Sequence, residues 1–454
     1  MNTVEMVNTT ANSAKQVSLT KLFQVFLKIG LLSFGGPAAQ ISLMHKVLVD
    51  ENNWLSEQQY LNALGFCMLL PGPEAMQLAT YAGWRLRGIL GGLVAGLLFV
   101  IPGAIVILLL ASLYTLYAGA TFNDVAIIDT LFLGVKAAVL IIVFEALIKV
   151  SKRALKATVH WIIAALAFIG IFLLSIPFPL IILMAALYGF FAIKPAKTNS
   201  QDIPTTAHNN KLQHSLRKTL AIIVIGVGLW FLPILIIEQF TDLAILSDIA
   251  RFFSKLAVVT FGGAYAVLVY MTQDVVTQFG WLTAGEMMDA LGLAETTPGP
   301  LILVTQFVGF IAAFNQGGYW LAVAASAITL WVTFVPCFIW VFVGAPYIEW
   351  MHSQQRLSAA FSAITAAVVG VILNLSIWFA LHLLFKKVSE QTWPLIPSLN
   401  LHLTLWQPQL SSIDWRIVFL TAVCAVLFFY KRVGVLQVLL ISSLLGWGLV
   451  SFSS

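Results

Sequence analysis

Apolar runs parted by short polar stretches repeat along the chain from about position 18 to its end. Read by length, the pattern predicts six crossings at about 18–44, 57–84, 88–116, 124–148, 158–174 and 177–194. A further run at about 218–240 follows, and the pattern then restarts near 244 and continues at about 283–311, 318–346, 357–385, 415–430 and 433–452. The expected fold is an all-α polytopic membrane protein of about 13 transmembrane helices. The pattern divides it into a polar tail (1–17), a first transmembrane repeat (18–194), a polar linker (195–217), an additional helix (218–243) and a second repeat (244–454).

Two of the runs are interrupted where a helix should be continuous. Pro71-Gly72-Pro73, followed by Glu74, sits in the second run, and Pro298-Gly299-Pro300 stands 227 residues later. Proline removes a backbone donor and glycine opens positive φ, so each triplet is expected to split its helix into two half-helices. The same offset carries Phe26, Lys28, Phe34, Gly35 and Gly36 onto Phe253, Lys255, Phe261, Gly262 and Gly263, and Trp54-Leu55 onto Trp281-Leu282. A register this long marks two homologous halves, and paired Gly/Pro-interrupted segments are the sequence pointer to a transporter's binding site.

An odd number of crossings ahead of the second half places it upside down, and loop charges bear on that expectation. Lys149, Lys152, Arg153 and Lys156 follow the fourth crossing, while the second-half counterpart sets Lys386, Lys387 and Arg416 against Glu390 and Asp414. Lys431-Arg432 separates the last two runs, where the first half has only Ser175 to Pro179. The positive-inside rule then gives inverted repeats, a cytoplasmic N-terminus and linker, and a periplasmic C-terminus.

Composition agrees with a membrane location: 60% of the 454 residues are hydrophobic and 9% are charged, too few charges to cover a soluble surface. The net charge of +5 is read as cytoplasmic loop charge and not as a nucleic-acid surface. Cys67, Cys337 and Cys424 are isolated in apolar runs and match no metal or redox spacing. No cofactor is implied. A membrane enzyme acting on a lipid phosphate would need clustered acids or histidines at an interface, and the sequence holds no such cluster.

Pro73 and Pro300 fit the first position of a half-helix, which would aim unpaired N–H groups and positive dipole ends at an anion. The alternative is a kink made for packing. Gly35-Gly36-Pro37 and Gly262-Gly263 open a second break in each half or allow close helix approach. Lys28 and Lys255 are placed to draw an anion into either mouth, or to snorkel to headgroups. Lys136 lies roughly 18 Å along its helix, deep enough to be a functional cation. Its expected partners are Glu74 and Glu295, either of which can carry a coupling proton. Gln77 is expected to face the same cavity, and Arg85 to assist. Glu145 and Lys149 read as an ordinary i,i+4 pair.

At these residues the chain resembles the chromate ion transporter family, specifically its long, two-domain members. The resemblance lies in FLKIGLLSFGGPAAQI (26–41), LLPGPEAMQLATYAGW (69–84), GGLVAGLLFVIPG (91–103), TFGGAYAV (260–267) and TTPGP (296–300). It implies an inner-membrane exporter of chromate powered by the proton-motive force, with antiparallel halves and with Gly35, Gly36, Pro37, Pro71, Gly72, Pro73 and Gln77 as signature positions. The second half departs from the pattern, with Ala264 in place of the proline and Leu301 opposite Glu74. Expected partners are chromate or a sulfate-like oxyanion, protons and membrane lipid, and a homodimer is compatible with the chain. Sulfate or another tetrahedral oxyanion is the main alternative cargo, and an anion channel is a weaker alternative.

Overall fold

The computed structural model describes residues 17–118, 124–192, 216–240, 243–259, 261, 264–348, 354–396 and 401–451. The N-terminal tail, most of the 195–217 linker, and Gly262 and Gly263 lie outside the described residues. The first half contains α1 (Leu19–Leu32), α2 (Gly36–His45), α3 (Glu57–Cys67), α4 (Glu74–Ala118), α5 (Asp124–Ala154), α6 (Thr158–Phe172) and α7 (Phe178–Ala192). After α8 (Leu216–Phe240) come α9 (Ala244–Val259), α10 (Ala264–Gln273), α11 (Ala284–Thr296), α12 (Val304–Gly317), α13 (Tyr319–Gly344), α14 (Gln355–Leu384), α15 (Trp415–Ala425) and α16 (Val435–Ser451).

Four described helical stretches are long and apolar enough to cross a bilayer: Glu74–Leu116, Arg217–Gln239, Tyr319–Tyr347 and Arg356–Leu384. Others, such as Thr158–Phe172 and Phe178–Ala192, are apolar but shorter. The chain is therefore a multi-pass membrane protein. The runs expected at 18–44 and 57–84 are each split, the first at Ser33–Gly35 and the second between Cys67 and Glu74. Helix α4 bends at Arg87–Gly88, where the backbone leaves helical φ/ψ.

The described residues are mostly helical, in line with the all-α expectation, and the long stretch after α14 adds one antiparallel hairpin, β1 (Val388–Ile396) and β2 (Leu401–Pro408). Leu401-His-Leu-Thr-Leu-Trp406 alternates apolar and polar residues with the period of a strand, a signal a helix cannot use.

Local backbone features recur at the 227-residue offset. Ser56 and Gln59 close a capping box at the start of α3, and Thr283 and Glu286 close one at the start of α11. Asn53 and Gly280 both have left-handed φ, 50° and 60°. Trp54 N–H donates to the Leu48 carbonyl at 2.8 Å, and Trp281 N–H to that of Val275 at 3.0 Å. Side chains follow the same register: Phe26 and Phe253 are fully buried, as are Ala63 and Ala290.

The halves interlock in the core. Helix α5 packs on α15 and α16 of the second half, while α14 packs on α6 and α7 of the first. The start of α14 lies against the end of α5 and the start of α6: Thr365 shares a cavity with Val150 and Arg153, and Ser362 Oγ is 3.2 Å from His160 Nε2. From there α14 runs beside α6, with Gly370 against Ala164 and Leu375 near Phe172, and hence opposite to α5. Helices α4 and α13 also cross in opposite senses, because Gly92 meets Phe342 and Gly96 meets Phe338.

Candidate functional site

The two Pro-Gly-Pro turns are built alike. Gly72 and Gly299 adopt φ of 115° and 88°, values that a side chain strongly disfavours. Pro73 and Pro300 each stand one position earlier than expected, before the helical turn and not inside it: the Pro73 carbonyl accepts from Gln77 N–H at 3.1 Å and that of Pro300 from Leu303 N–H at 2.9 Å. Glu74 is consequently the first residue of α4, at the positive end of the helix dipole.

The second turn docks on the first break. Gly299 N–H donates to the Ser33 carbonyl at 2.9 Å, and the Gly299 carbonyl accepts from Gln40 Nε2 at 2.6 Å. Gln40 is 2% exposed, so this link lies in the core. A Cβ on Gly103 of α4 would overlap the Pro298 carbonyl, and one on Gly72 would crowd Cys337 of α13. Each turn is thereby wedged against a long helix of the other half.

Next to this crossing lies a cavity of ≈ 230 Å³. The α2 start (Gly35, Gly36, Pro37), Glu74, Glu295 and the last turns of α5 form its wall, where Glu145, Lys149 and Arg153 project. A smaller cavity of ≈ 160 Å³ shares Glu74 and Arg153 and adds Gly72. Glu145 and Lys149 form the expected i,i+4 ion pair, and Arg153 Nη2 is 2.7 Å from Met68 Sδ. Glu74 and Glu295 therefore face one space, although the 227 register sets Leu301 opposite Glu74 and Met68 opposite Glu295.

Lys136 is placed differently from expectation. Its Nζ lies 2.9 Å from Asp289 Oδ1, and Tyr114 Oη donates to Asp289 Oδ2 at 3.1 Å, so its partner is neither Glu74 nor Glu295. Helix α11 brings Asp289 onto α5 ahead of Glu295. Gln77 is fully buried and turns back to the Pro71 carbonyl at 2.6 Å instead of lining the cavity. Arg85 is exposed, eleven residues beyond Glu74 on α4 and about 16 Å from it along the helix. Lys28 and Lys255 are both exposed, the latter 5.6 Å from the Tyr270 ring centre.

Arg153, Lys149, Glu145 and Gln40 were missed as site residues. Three of them read in the sequence as topogenic charge or a local ion pair. The available signal was the i,i+4 spacing of Glu145, Lys149 and Arg153, which puts all three on one face of α5.

A family model described as chromate transporter matches residues 20–190 and again residues 247–447, two stretches that begin 227 residues apart. The chain belongs to the chromate transporter family. A chromate transport protein of Pseudomonas aeruginosa is 31% identical over 95% of this chain and 92% of its own length. A probable chromate transport protein of Synechococcus elongatus is 30% identical over 78% of this chain and 83% of its own. A chromate transport protein of Cupriavidus metallidurans is 28% identical over 82% and 86%, respectively. No solved structure matches the chain. As a family of transporters, these relatives point to movement of a solute and not to turnover of one. The two matched stretches include both Pro-Gly-Pro turns, Glu74, Glu295 and Arg153, and leave out α8 and the linker.

Proposed function

We propose that this chain carries chromate across the cell's inner membrane as a secondary transporter, working as an exporter driven by the proton-motive force. The observation that carries the reading is the convergence of Gly35–Pro37, Glu74, Glu295 and Arg153 on one cavity beside the crossed chain breaks. Irregular backbone inside a membrane persists where it is buried or lines a polar path, and broken helices between two repeats are where transporters seat their cargo. In this reading the α2 and α4 N-termini and Arg153 attract the oxyanion, while Glu74 and Glu295 exchange protons. Lys136 and Arg85 act indirectly, through the Asp289 pair and as surface charge, and Lys28 and Lys255 draw anions toward the protein. The opposed directions of α5 and α14 favour inverted repeats, with the N-terminus cytoplasmic and the C-terminus periplasmic.

The test is chromate accumulation in inverted membrane vesicles, with and without an imposed proton gradient and with labelled sulfate as competitor. Gradient-dependent accumulation that sulfate inhibits weakly supports a chromate exporter. Equal transport of sulfate widens the cargo to tetrahedral oxyanions, and accumulation of neither overturns the reading. Glu74→Gln is expected to remove the pH dependence of flux, and Arg153→Gln to raise the chromate KM about tenfold, the effect of losing one charge-assisted hydrogen bond of roughly 1.5 kcal/mol.

A further inference from the structure

A second, smaller cavity of ≈ 70 Å³ lies under the β-hairpin, and it repeats the plan of the Glu74 cavity with different chemistry. The two helices that frame these cavities align through Ala137-Ala138-Val139 of α5 and Ala366-Ala367-Val368 of α14, all six at most 1% exposed. This register sets Glu145, Lys149 and Arg153 opposite Asn374, Trp378 and His382. Asn374 and Trp378 line the hairpin cavity as Glu145 and Lys149 line the other. The remaining walls correspond too: the end of α6 and Ser175 close one cavity, and Phe428, just after α15, and Val435, which opens α16, close its counterpart.

The two cavities lie toward opposite ends of the helices. Thr365 of α14 lines one cavity with Arg153 of α5, and Trp378 is thirteen residues further along, about 20 Å by helical rise. At that end the lining offers neutral hydrogen-bond donors: Ser175, Thr272, Asn374 and Thr404. Thr272 is 1% exposed, and among the described residues its hydroxyl has no partner. Burying a hydroxyl unpaired is unfavourable, so Thr272 is set for an acceptor that comes and goes. Glu390 of β1 is the one charged residue in the described lining.

Hairpin and cavity are joined at one latch. Thr404 N–H donates to the Leu173 carbonyl at 2.7 Å, and the Thr404 and Ser175 hydroxyls are 2.8 Å apart. Trp406 meets the edge of His382, which stacks on Trp378 at 4.2 Å.

We propose that this cavity is a second oxyanion vestibule at the far end of the transport path, and that the hairpin is its gate. The inference rests on the transport reading above. Neutral donors hold a dianion weakly and Glu390 repels it, so the vestibule passes the oxyanion on once Thr404 lets go of Leu173 and Ser175.

A disulfide across the latch tests the gate. The S175C/T404C protein is reconstituted into vesicles, cross-linked by mild oxidation, and compared with itself after reduction, the reductant being removed before chromate is added because thiols reduce chromate. Expected are at least tenfold lower flux when cross-linked than after reduction of the same protein, and equal chromate binding by both forms in detergent. Cross-linked protein that carries chromate at the reduced rate overturns the gate, and so does loss of binding along with flux, which marks a structural defect. Absence of chromate flux in the wild type overturns the underlying transport reading instead. Thr272→Val adds an independent measure: a fall in flux without a change in binding supports the vestibule, and unchanged flux overturns the role given to the hydroxyl.

Discussion

Replacing Lys136 by methionine asks what a deep cation does once its partner is known. Nζ is 2.9 Å from Asp289 Oδ1, with the two side chains 20% and 9% exposed. At that distance the Coulomb attraction is about 6 kcal/mol for an effective dielectric constant near 20. Desolvation of the two charges offsets most of this, so the intact pair adds little net stability. Removing the cation alone is a different matter, because Asp289, which also accepts from Tyr114, stays buried without its counter-charge. Breaking a fully buried pair costs roughly 3–5 kcal/mol, and the lysine's residual exposure lowers the expected loss to about 2–4 kcal/mol. Lys136→Met with Asp289→Asn removes both charges, keeps an acceptor for Tyr114, and should return stability to within about 1 kcal/mol of the parent. Unfolding in detergent by denaturant, followed through the 14 tryptophans, measures all three proteins. A single variant within about 0.5 kcal/mol of the parent, or a double variant as unstable as the single, refutes the argument. Chromate flux then sorts the role: recovery of flux together with stability makes the pair structural, and recovery of stability alone places the ammonium on the oxyanion's route.

Three further expectations follow from the turns and the hairpin stem. Gly72→Ala forces a side chain to φ 115° and against Cys337, so the thermal midpoint in detergent should fall, with strain of about 1–3 kcal/mol; an unchanged midpoint contradicts the tight turn. Gln40→Leu strips the Gly299 carbonyl of its side-chain donor, and a loss of about 1–3 kcal/mol is expected in the same unfolding assay, together with slower flux. Asp414 accepts from Arg416 Nε and Nη2 at 3.1 and 2.9 Å, which holds its carboxyl below the usual carboxylate range, with Lys386 adding a weaker attraction. Because the folded value is depressed, this stabilisation is complete above the unfolded value of about 4 and is lost as pH falls through the folded one. Protection factors of the hairpin stem, taken against the intrinsic exchange rate at each pH, should therefore fall in acid, and Asp414→Asn should flatten that dependence.

The sequence announces what depends on neighbours along the chain. The capping boxes at Ser56 and Thr283, the left-handed positions at Asn53 and Gly280, and the breaks at Gly72 and Gly299 are each set by a few consecutive residues, and the register of 227 is visible in them. Contacts made by tertiary packing were not legible. Nothing local says that α11 presents Asp289 to Lys136, or that Gln40 reaches a carbonyl 259 residues away. Arg153 was hidden for another reason, since a basic residue at the end of an apolar helix has an ordinary explanation in membrane topology. The alternation of 401–406 is a strand signal, but the stretch lies between the crossings at 357–385 and 415–430 and read as a connecting loop.

Charge divides the two cavities more sharply than shape does. With every group ionised, Glu74, Glu145 and Glu295 against Lys149 and Arg153 leave the larger cavity one unit negative, which repels a dianion. Protonating one of Glu74 and Glu295 brings it to neutrality, and protonating both makes it positive, so in the proposed transport reading proton uptake and oxyanion binding favour each other there. In the same reading the hairpin cavity offers an oxyanion only neutral donors beside the repelling Glu390, so it is held weakly there. A ligand shifts a carrier between states only by its difference in affinity for them. In that reading, two ends of one duplicated scaffold, one with an affinity set by protons and the other weak throughout, supply that difference, while a perfectly symmetric pair would not. Neither carboxylate has a counterpart at the 227 offset, where Leu301 and Met68 stand. In the transport reading, loss of symmetry at Glu74 and Glu295 is therefore what gives the duplicated fold a direction. Leu301→Glu and Met68→Glu should accordingly weaken the gradient dependence of flux in the vesicle assay, and gradient dependence left unchanged by both would break this link between charge and direction.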